Sequence, residues 1–175
     1  MDQLQKYEFE KIFPGCRLLD IHEYLMEKDM KLAGITGTKY MYHDPCHSPM
    51  KTYKPMEVTN KLMGQEVLLN DRCCGESGTF AVARPDIATQ VKMRKQEELA
   101  KGMDKMGLTV GNPEMPVKIL TSCPSCLQGL ARYGEDTGIT ADYIVVEMAK
   151  HILGDNWMQE YVARVNNGGI EKVLL

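Results

Sequence analysis

Two cysteines stand side by side at Cys73 and Cys74, and Gly75 follows them at once. Adjacent side chains on a regular strand point to opposite faces, so a strand that simply continued could not aim both thiols at one place. Glycine reaches backbone angles that other residues avoid, and lets the chain turn as it leaves a strand. The stretch QEVLLNDR ahead of the pair is apolar enough to be that strand. Both thiols are then free to face one crevice. A bond between the two sulfurs would need strained geometry and an oxidising setting, and is disfavoured.

The other cysteines repeat the placement. TKYMYHDPCH begins as a strand and ends at Asp44–Pro45, where a ladder cannot continue, with Cys46 next. PVKILTSCPSCLQGLARYG reads as strand, tight turn and helix; Pro124 suits a first helical turn, and Cys123 and Cys126 open it. ITADYI is a further strand, followed by the helix VVEMAKHILG ending at Gly154. From Pro85 to about Met106 the chain reads as its longest helix, with KMRKQEE as a solvated charged centre and Glu97 one turn from Lys101. Arg84–Pro85 marks the junction that starts it, and Glu76 and Ser77 read as helix caps. GLTVGNPEMP is a loop.

At the front, DQLQKYEFEKIF predicts a short helix stopping at Pro14–Gly15, and CRLLD a short strand. IHEYLMEKD predicts a helix capped by Asp20 with Glu23 in capping-box position. At the back, DNWMQEYVARVNN is a helix capped by Asp155 or Asn156, and IEKVLL a short terminal strand.

Strands alternating with helices predict an α/β fold: a mostly parallel sheet flanked by helices, with right-handed crossovers and the cysteines at the carboxyl ends of strands. Those ends share one edge, where ligands bind in open parallel sheets. Cys46, Cys73, Cys74, Cys123 and Cys126 are therefore expected on one rim. Cys16 precedes its strand and is expected at the opposite edge as a small buried apolar residue.

The 175 residues fit a single domain over 1–175, and six cysteines without an export signal argue for metal or redox use rather than a disulfide framework. A net charge of −3 with no basic stripe argues against nucleic acid, and no apolar run reaches membrane-spanning length. The expectation is a cytoplasmic chain, with any membrane association made through a partner. Thirteen scattered methionines read as core fillers.

Three chemistries stay open for the rim. A structural zinc site wants four thiolate or imidazole ligands, and His43 and His47, flanking Cys46, could join it. A thioredoxin-like dithiol would use Cys123 and Cys126 alone. An iron–sulfur cluster takes cysteine thiolates, and five exceed the need of an ordinary cubane. His43 and His47 suit hydrogen bonding to a thiolate, tuning its potential or relaying a proton, or else capping the turn at Pro45. His22 and His151 read as surface residues. The sequence has no Ser-His-Asp arrangement, no phosphate loop and no carboxylate pair placed for acid–base work.

The ordered set HDPCH (His43 to His47), CCG (Cys73 to Gly75) and CPSC (Cys123 to Cys126) resembles the cysteine-rich CCG domain family, over about residues 35–155. Members include the CCG-bearing subunit of heterodisulfide reductase and the iron–sulfur subunit of glycolate oxidase. The similarity is greatest to the C-terminal part of bacterial proteins that fuse an FAD-linked oxidase to iron–sulfur modules. The resemblance implies a non-cubane [4Fe–4S] cluster bound through Cys46, Cys73, Cys74, Cys123 and Cys126. It implies electron transfer with an FAD-linked oxidase of 2-hydroxy acids such as glycolate or lactate, FAD residing only on that partner, or disulfide reduction of the heterodisulfide type. Zinc is the alternative metal within the family. Relatives carry further iron–sulfur modules that this chain lacks, so the expectation is a fragment or subunit of a larger oxidoreductase rather than a complete enzyme.

Overall fold

The computed structural model describes residues 8–75, 80–111 and 113–168. At its centre lies a four-stranded, all-parallel sheet of β1 (Lys39–His43), β2 (Leu68–Leu69), β3 (Val117–Thr121) and β4 (Ile139–Tyr143), in the order β2-β1-β3-β4. Ahead of β1 come α1 (Phe9–Ile12) and α2 (Ile21–Glu27), and α3 (Pro55–Met63) links β1 to β2. Between β2 and β3 lie α4 (Phe80–Ala83) and the long α5 (Pro85–Lys105). After β3 come α6 (Pro124–Ala131) and α7 (Gly134–Thr137), and β4 is followed by α8 (Ile144–Leu153) and α9 (Trp157–Asn166). The α/β expectation holds.

A parallel sheet covered on both faces buries most side chains of its central strands, and in β1 and β3 all but Lys39 and Lys118 are buried. Tyr40, Tyr42 and Leu120 point to one face, against Val58 and Leu62 of α3 and Ile144 and Met148 of α8. Met41, Val117 and Ile119 point to the other, against Leu99 and Met103 of α5, Leu130 of α6 and Tyr133. Six methionines, Met26, Met41, Met50, Met63, Met103 and Met148, are buried among these contacts, as core fillers should be. Gly102 lets α5 lie close on the sheet: a Cβ there would stand 2.6 Å from Met41 Sδ.

Local signals account for most boundaries. Asp20 accepts from His22 N at 3.0 Å while Glu23 reaches back to Asp20 N, the reciprocal cap expected at the start of α2. Glu23 is also fully buried, and its Oε1 accepts from the Thr52 and Tyr53 amides at 2.7 and 2.9 Å. The cap thus anchors the loop that follows Cys46. Arg84 precedes Pro85 at the start of α5, and Asn156 precedes α9 without a side-chain cap bond.

Several expectations need correction. CRLLD belongs to no strand of the sheet; its backbone reaches Asp20 in an extended conformation and there starts α2. Cys16 is exposed rather than buried, in a separate cleft with Glu8, Phe9 and Arg17. The QEVLLNDR strand shrinks to Leu68–Leu69, because Asn60 Oδ1 takes the Val67 amide at 2.9 Å and draws it off the ladder. Helix α3 was not anticipated, although Pro55 at its first turn, Val58 and Leu62 one turn apart, and Gly64 in the left-handed conformation mark it. His22 is buried, its Nδ1 2.6 Å from the same Asp20 oxygen that caps α2. The centre of α5 is not wholly solvated, since Lys95 is fully buried, and Lys101 meets Glu98 at 3.8 Å. The capping roles given to Glu76 and Ser77 and the IEKVLL strand lie outside the described residues. Among the described residues no helix is long and apolar enough to cross a membrane.

Candidate metal centre

Each chemistry-bearing turn leaves the same edge of the sheet. β1 ends at His43, and Pro45 cannot extend the ladder, so Cys46 begins the loop above it. Gly75 adopts φ +80° just after the cysteine pair, and its amide donates to Cys73 Sγ at 3.4 Å. Beyond β3, Cys123 is the last extended residue before α6, Pro124 fills that helix's first turn, and Cys126 lies inside it. Cys46, Cys73, Cys74, Cys123 and Cys126, with Pro45, His47 and Ser125, line one cavity of about 160 Å³. Thiols far apart in sequence thus meet because the carboxyl ends of parallel strands meet.

The cavity has a floor and a rim. Cys74 and Cys126 are 7% and 6% exposed, and Cys74 Sγ donates to Cys126 Sγ at 3.4 Å. Cys46 and Cys73 are exposed, and Cys123 is intermediate. The hydrogen bond with Cys74, then burial, then the charges of Cys74 and Cys123 push the Cys126 thiol far above its ordinary range. Burial raises Cys46 too, reinforced by Cys73 and Cys74. The crowding disfavours the ionised forms of Cys46 and Cys126 unless positive charge is brought near. A metal inverts that preference, because a coordinating thiol gives up its proton outright.

Beneath the floor lies a polar group that the sequence reading missed. Lys95 Nζ donates to Asn70 O at 3.0 Å and to Asn70 Oδ1, and lies 3.2 Å from His43 Nδ1. Asn70 in turn donates its amide to Glu98 O at 3.0 Å, tying the end of β2 to α5. Burial pushes Lys95 down to about 8, while the neighbouring Cys74, Glu98, Cys126 and Cys73 charges hold it up. His43 is fully buried, its Nε2 has no hydrogen-bond partner among the described residues, and a ring nitrogen lies within 4.8 Å of the Cys74 and Cys126 sulfurs. His47 is exposed at the cavity wall. The signal for Lys95 was a stripe: Lys95, Leu99, Gly102 and Met103 share the buried face of α5 at helical spacing.

The chain is similar to known proteins. Residues 40–131 match the family described as "Cysteine-rich domain" (CCG), and residues 131–175 match a domain of unknown function, DUF3400. The chain is 28% identical over 129 residues to a subunit of the fumarate reductase (CoM/CoB) of Methanothermobacter marburgensis, covering 69% of this chain and 24% of that protein. It is 31% identical over 97 residues to the "Glycolate oxidase iron-sulfur subunit" of Escherichia coli, covering 52% and 24%. An uncharacterized iron-sulfur protein of Methanococcus maripaludis is 29% identical over 146 residues, covering 75% and 26%. The chain therefore spans about a quarter of the length of the curated relatives it matches. No solved structure matches it. With the HDPCH, CCG and CPSC motifs inside the matched segment, the chain belongs to the CCG cysteine-rich domain family.

Proposed function

We propose that this chain is an iron–sulfur electron-transfer domain, a component of a larger oxidoreductase. Cys46, Cys73, Cys74, Cys123 and Cys126 hold its cluster, a [4Fe–4S] centre of non-cubane type. The partner is an FAD-linked oxidase of 2-hydroxy acids, which carries the flavin, together with other iron–sulfur modules. Residues 1–175 act as one such domain.

The observation that carries this reading is the gathering of five thiols from three strand ends around a single cavity. The donor set is soft sulfur, which suits iron–sulfur clusters and zinc rather than magnesium or calcium. Two features favour a centre that is itself negative: a buried cation at Lys95 and an orphaned polar atom at His43 Nε2, both under the cavity floor. When bound, such a cluster supplies one-electron transfer at a potential set by hydrogen bonds and solvent exposure. Cys74 and Cys126 would hold it from the buried side, and Cys46 and Cys73 from the side open to solvent and to a partner. The relative named as an uncharacterized iron-sulfur protein and the one named as the iron-sulfur subunit of glycolate oxidase support the cofactor class and the kind of partner.

The test is anaerobic purification followed by iron and acid-labile sulfide analysis. A brown chain with both elements, lost in serine variants of the five cysteines and retained in Cys16→Ser, is expected. A second reading rests on His43, Cys74 and Cys126, whose ligand atoms all lie within 4.8 Å of one another. With a fourth thiolate from the same cavity, such as Cys123, these donors would make the closed tetrahedron of a zinc-stabilised module, and a colourless chain with equimolar zinc and no sulfide would establish it. Thiol–disulfide exchange through Cys123 and Cys126 would instead leave activity intact in Cys46→Ser.

A further inference from the structure

The hydrogen bonds beneath the cavity assign a task to a residue that lines no part of it. We propose that Lys95 is a positioning residue that fixes His43 as the Nε2–H tautomer, so that the imidazole donates this hydrogen to sulfur at the Cys74–Cys126 floor. The inference rests on the cluster reading for its purpose, but not for its geometry.

An ammonium has three hydrogens to donate and no lone pair to accept with. Asn70 O and Asn70 Oδ1 take two of those hydrogens, and the third lies toward His43 Nδ1 at 3.2 Å. A ring nitrogen that accepts from Lys95 carries no hydrogen of its own, so in the neutral ring the hydrogen sits on Nε2. That atom is fully buried and partnerless among the described residues, a costly state unless something arrives to accept from it. The acceptors at hand are the Cys74 and Cys126 sulfurs, within 4.8 Å of a ring nitrogen of His43. Thr121, the register partner of His43 across the β1–β3 ladder, also leaves its Oγ1 buried without a partner among the described residues. Side chains of register partners share one face of a sheet, so two orphaned polar groups stand side by side on the face against which Cys74 and Cys126 pack.

The assignment also decides between two uses of His43. A metal-binding Nε2 needs its lone pair free, with the hydrogen on Nδ1, and Lys95 opposes that tautomer. His43 is on this account a hydrogen-bond donor to sulfur and not a ligand. Lys95 acts through it and lines no part of the cavity.

Two measurements test this. The first needs no metal: long-range nitrogen–proton correlation spectra of the reduced, metal-free full chain, with and without Lys95→Met. The expected result is Nε2–H in the unaltered chain at neutral pH and a shift toward Nδ1–H in the variant, where Asn70 O at 3.4 Å becomes the acceptor. Nδ1–H in the unaltered chain, or an unchanged tautomer in Lys95→Met, overturns the proposal. The second is the midpoint potential of the iron-loaded chain. Lys95→Met and His43→Leu should both move it to more negative values, and His43→Gln, whose amide can present N–H near the Nε2 position, should restore most of the shift. Equal potentials in all four proteins overturn it. Should Lys95→Met fail to fold, the tautomer of the unaltered chain and the two His43 variants decide alone. A chain that binds no iron sinks the cluster reading and leaves the tautomer result standing.

Discussion

A lysine is tucked against each face of the sheet, and the two are compensated in opposite ways. Lys118 of β3 meets both carboxylate oxygens of Glu147, at 2.8 and 2.6 Å, and Tyr40 donates to the same carboxylate at 2.7 Å. His151 closes the group at 3.2 Å from Glu147. Lys95, on the face that carries the cysteine floor, forms no ion pair with a carboxylate among the described residues. Neutral oxygens and an imidazole are its partners. A buried charge matched by an opposite charge is satisfied within the fold, whereas one matched only by dipoles stays attractive to an anion. The first face is therefore built to be left alone, and the second to receive negative charge.

The comparison can be broken most severely at the thiols. Cys74→Ser or Cys126→Ser should abolish retention of iron and sulfide, and Cys16→Ser should leave both unchanged, by metal analysis of anaerobic preparations. Next in size is Lys118→Met, which strands the buried Glu147 carboxylate. It should cost about 3 kcal/mol in urea unfolding, without altering metal content. Metal loss in that variant would mean that the two faces are not independent. Gly102→Ala presses a methyl group toward Met41 between α5 and β1 and should cost about 1–2 kcal/mol in the same assay.

A subtler prediction concerns acid. Burial alone would raise the Glu147 carboxyl, yet the bonds from Lys118, Tyr40 and His151 outweigh it and hold the group below its ordinary value of 4.5. The unfolded chain then takes up the proton first as pH falls. The stabilisation is fully present above about pH 4.5 and is lost as pH drops through the lower folded value. Glu147→Gln should flatten that acid limb in unfolding curves recorded as a function of pH. The smallest effect is expected at Lys101→Ala, whose exposed contact with Glu98 is worth under about 0.5 kcal/mol.

How much of this was legible follows from the range of the forces involved. Strands β1, β3 and β4 and helix α5 announce themselves through local pattern, and the rim of cysteines follows from the parallel direction of the strands plus the place of each Cys after its strand. Three features did not announce themselves. CRLLD has the composition of a strand, but a strand needs a neighbour to pair with, and pairing is not a local property. The shortening of β2 depends on a side chain on another helix, Asn60, reaching the Val67 amide. Lys95 looked like one charge among many in KMRKQEE, and only the stripe running back from Met103 and Leu99 marks it as inward-facing. His43 was singled out from its place beside Cys46, but its partner could not be named because Asn70 and Lys95 approach it from separate elements.

The short β2 strand has one more consequence. Only Met41↔Leu68 and Tyr42↔Leu69 pair it with β1, so the cysteine-bearing turn beyond it hangs from the weakest seam of the sheet. A centre gripped by Cys73 and Cys74 together with Cys46 and Cys126 would act as a clasp, fastening that edge to its neighbours across long stretches of sequence. Loading should then slow amide exchange at Leu68 to Asn70 far more than at β3, and losing the centre should let this edge fray first.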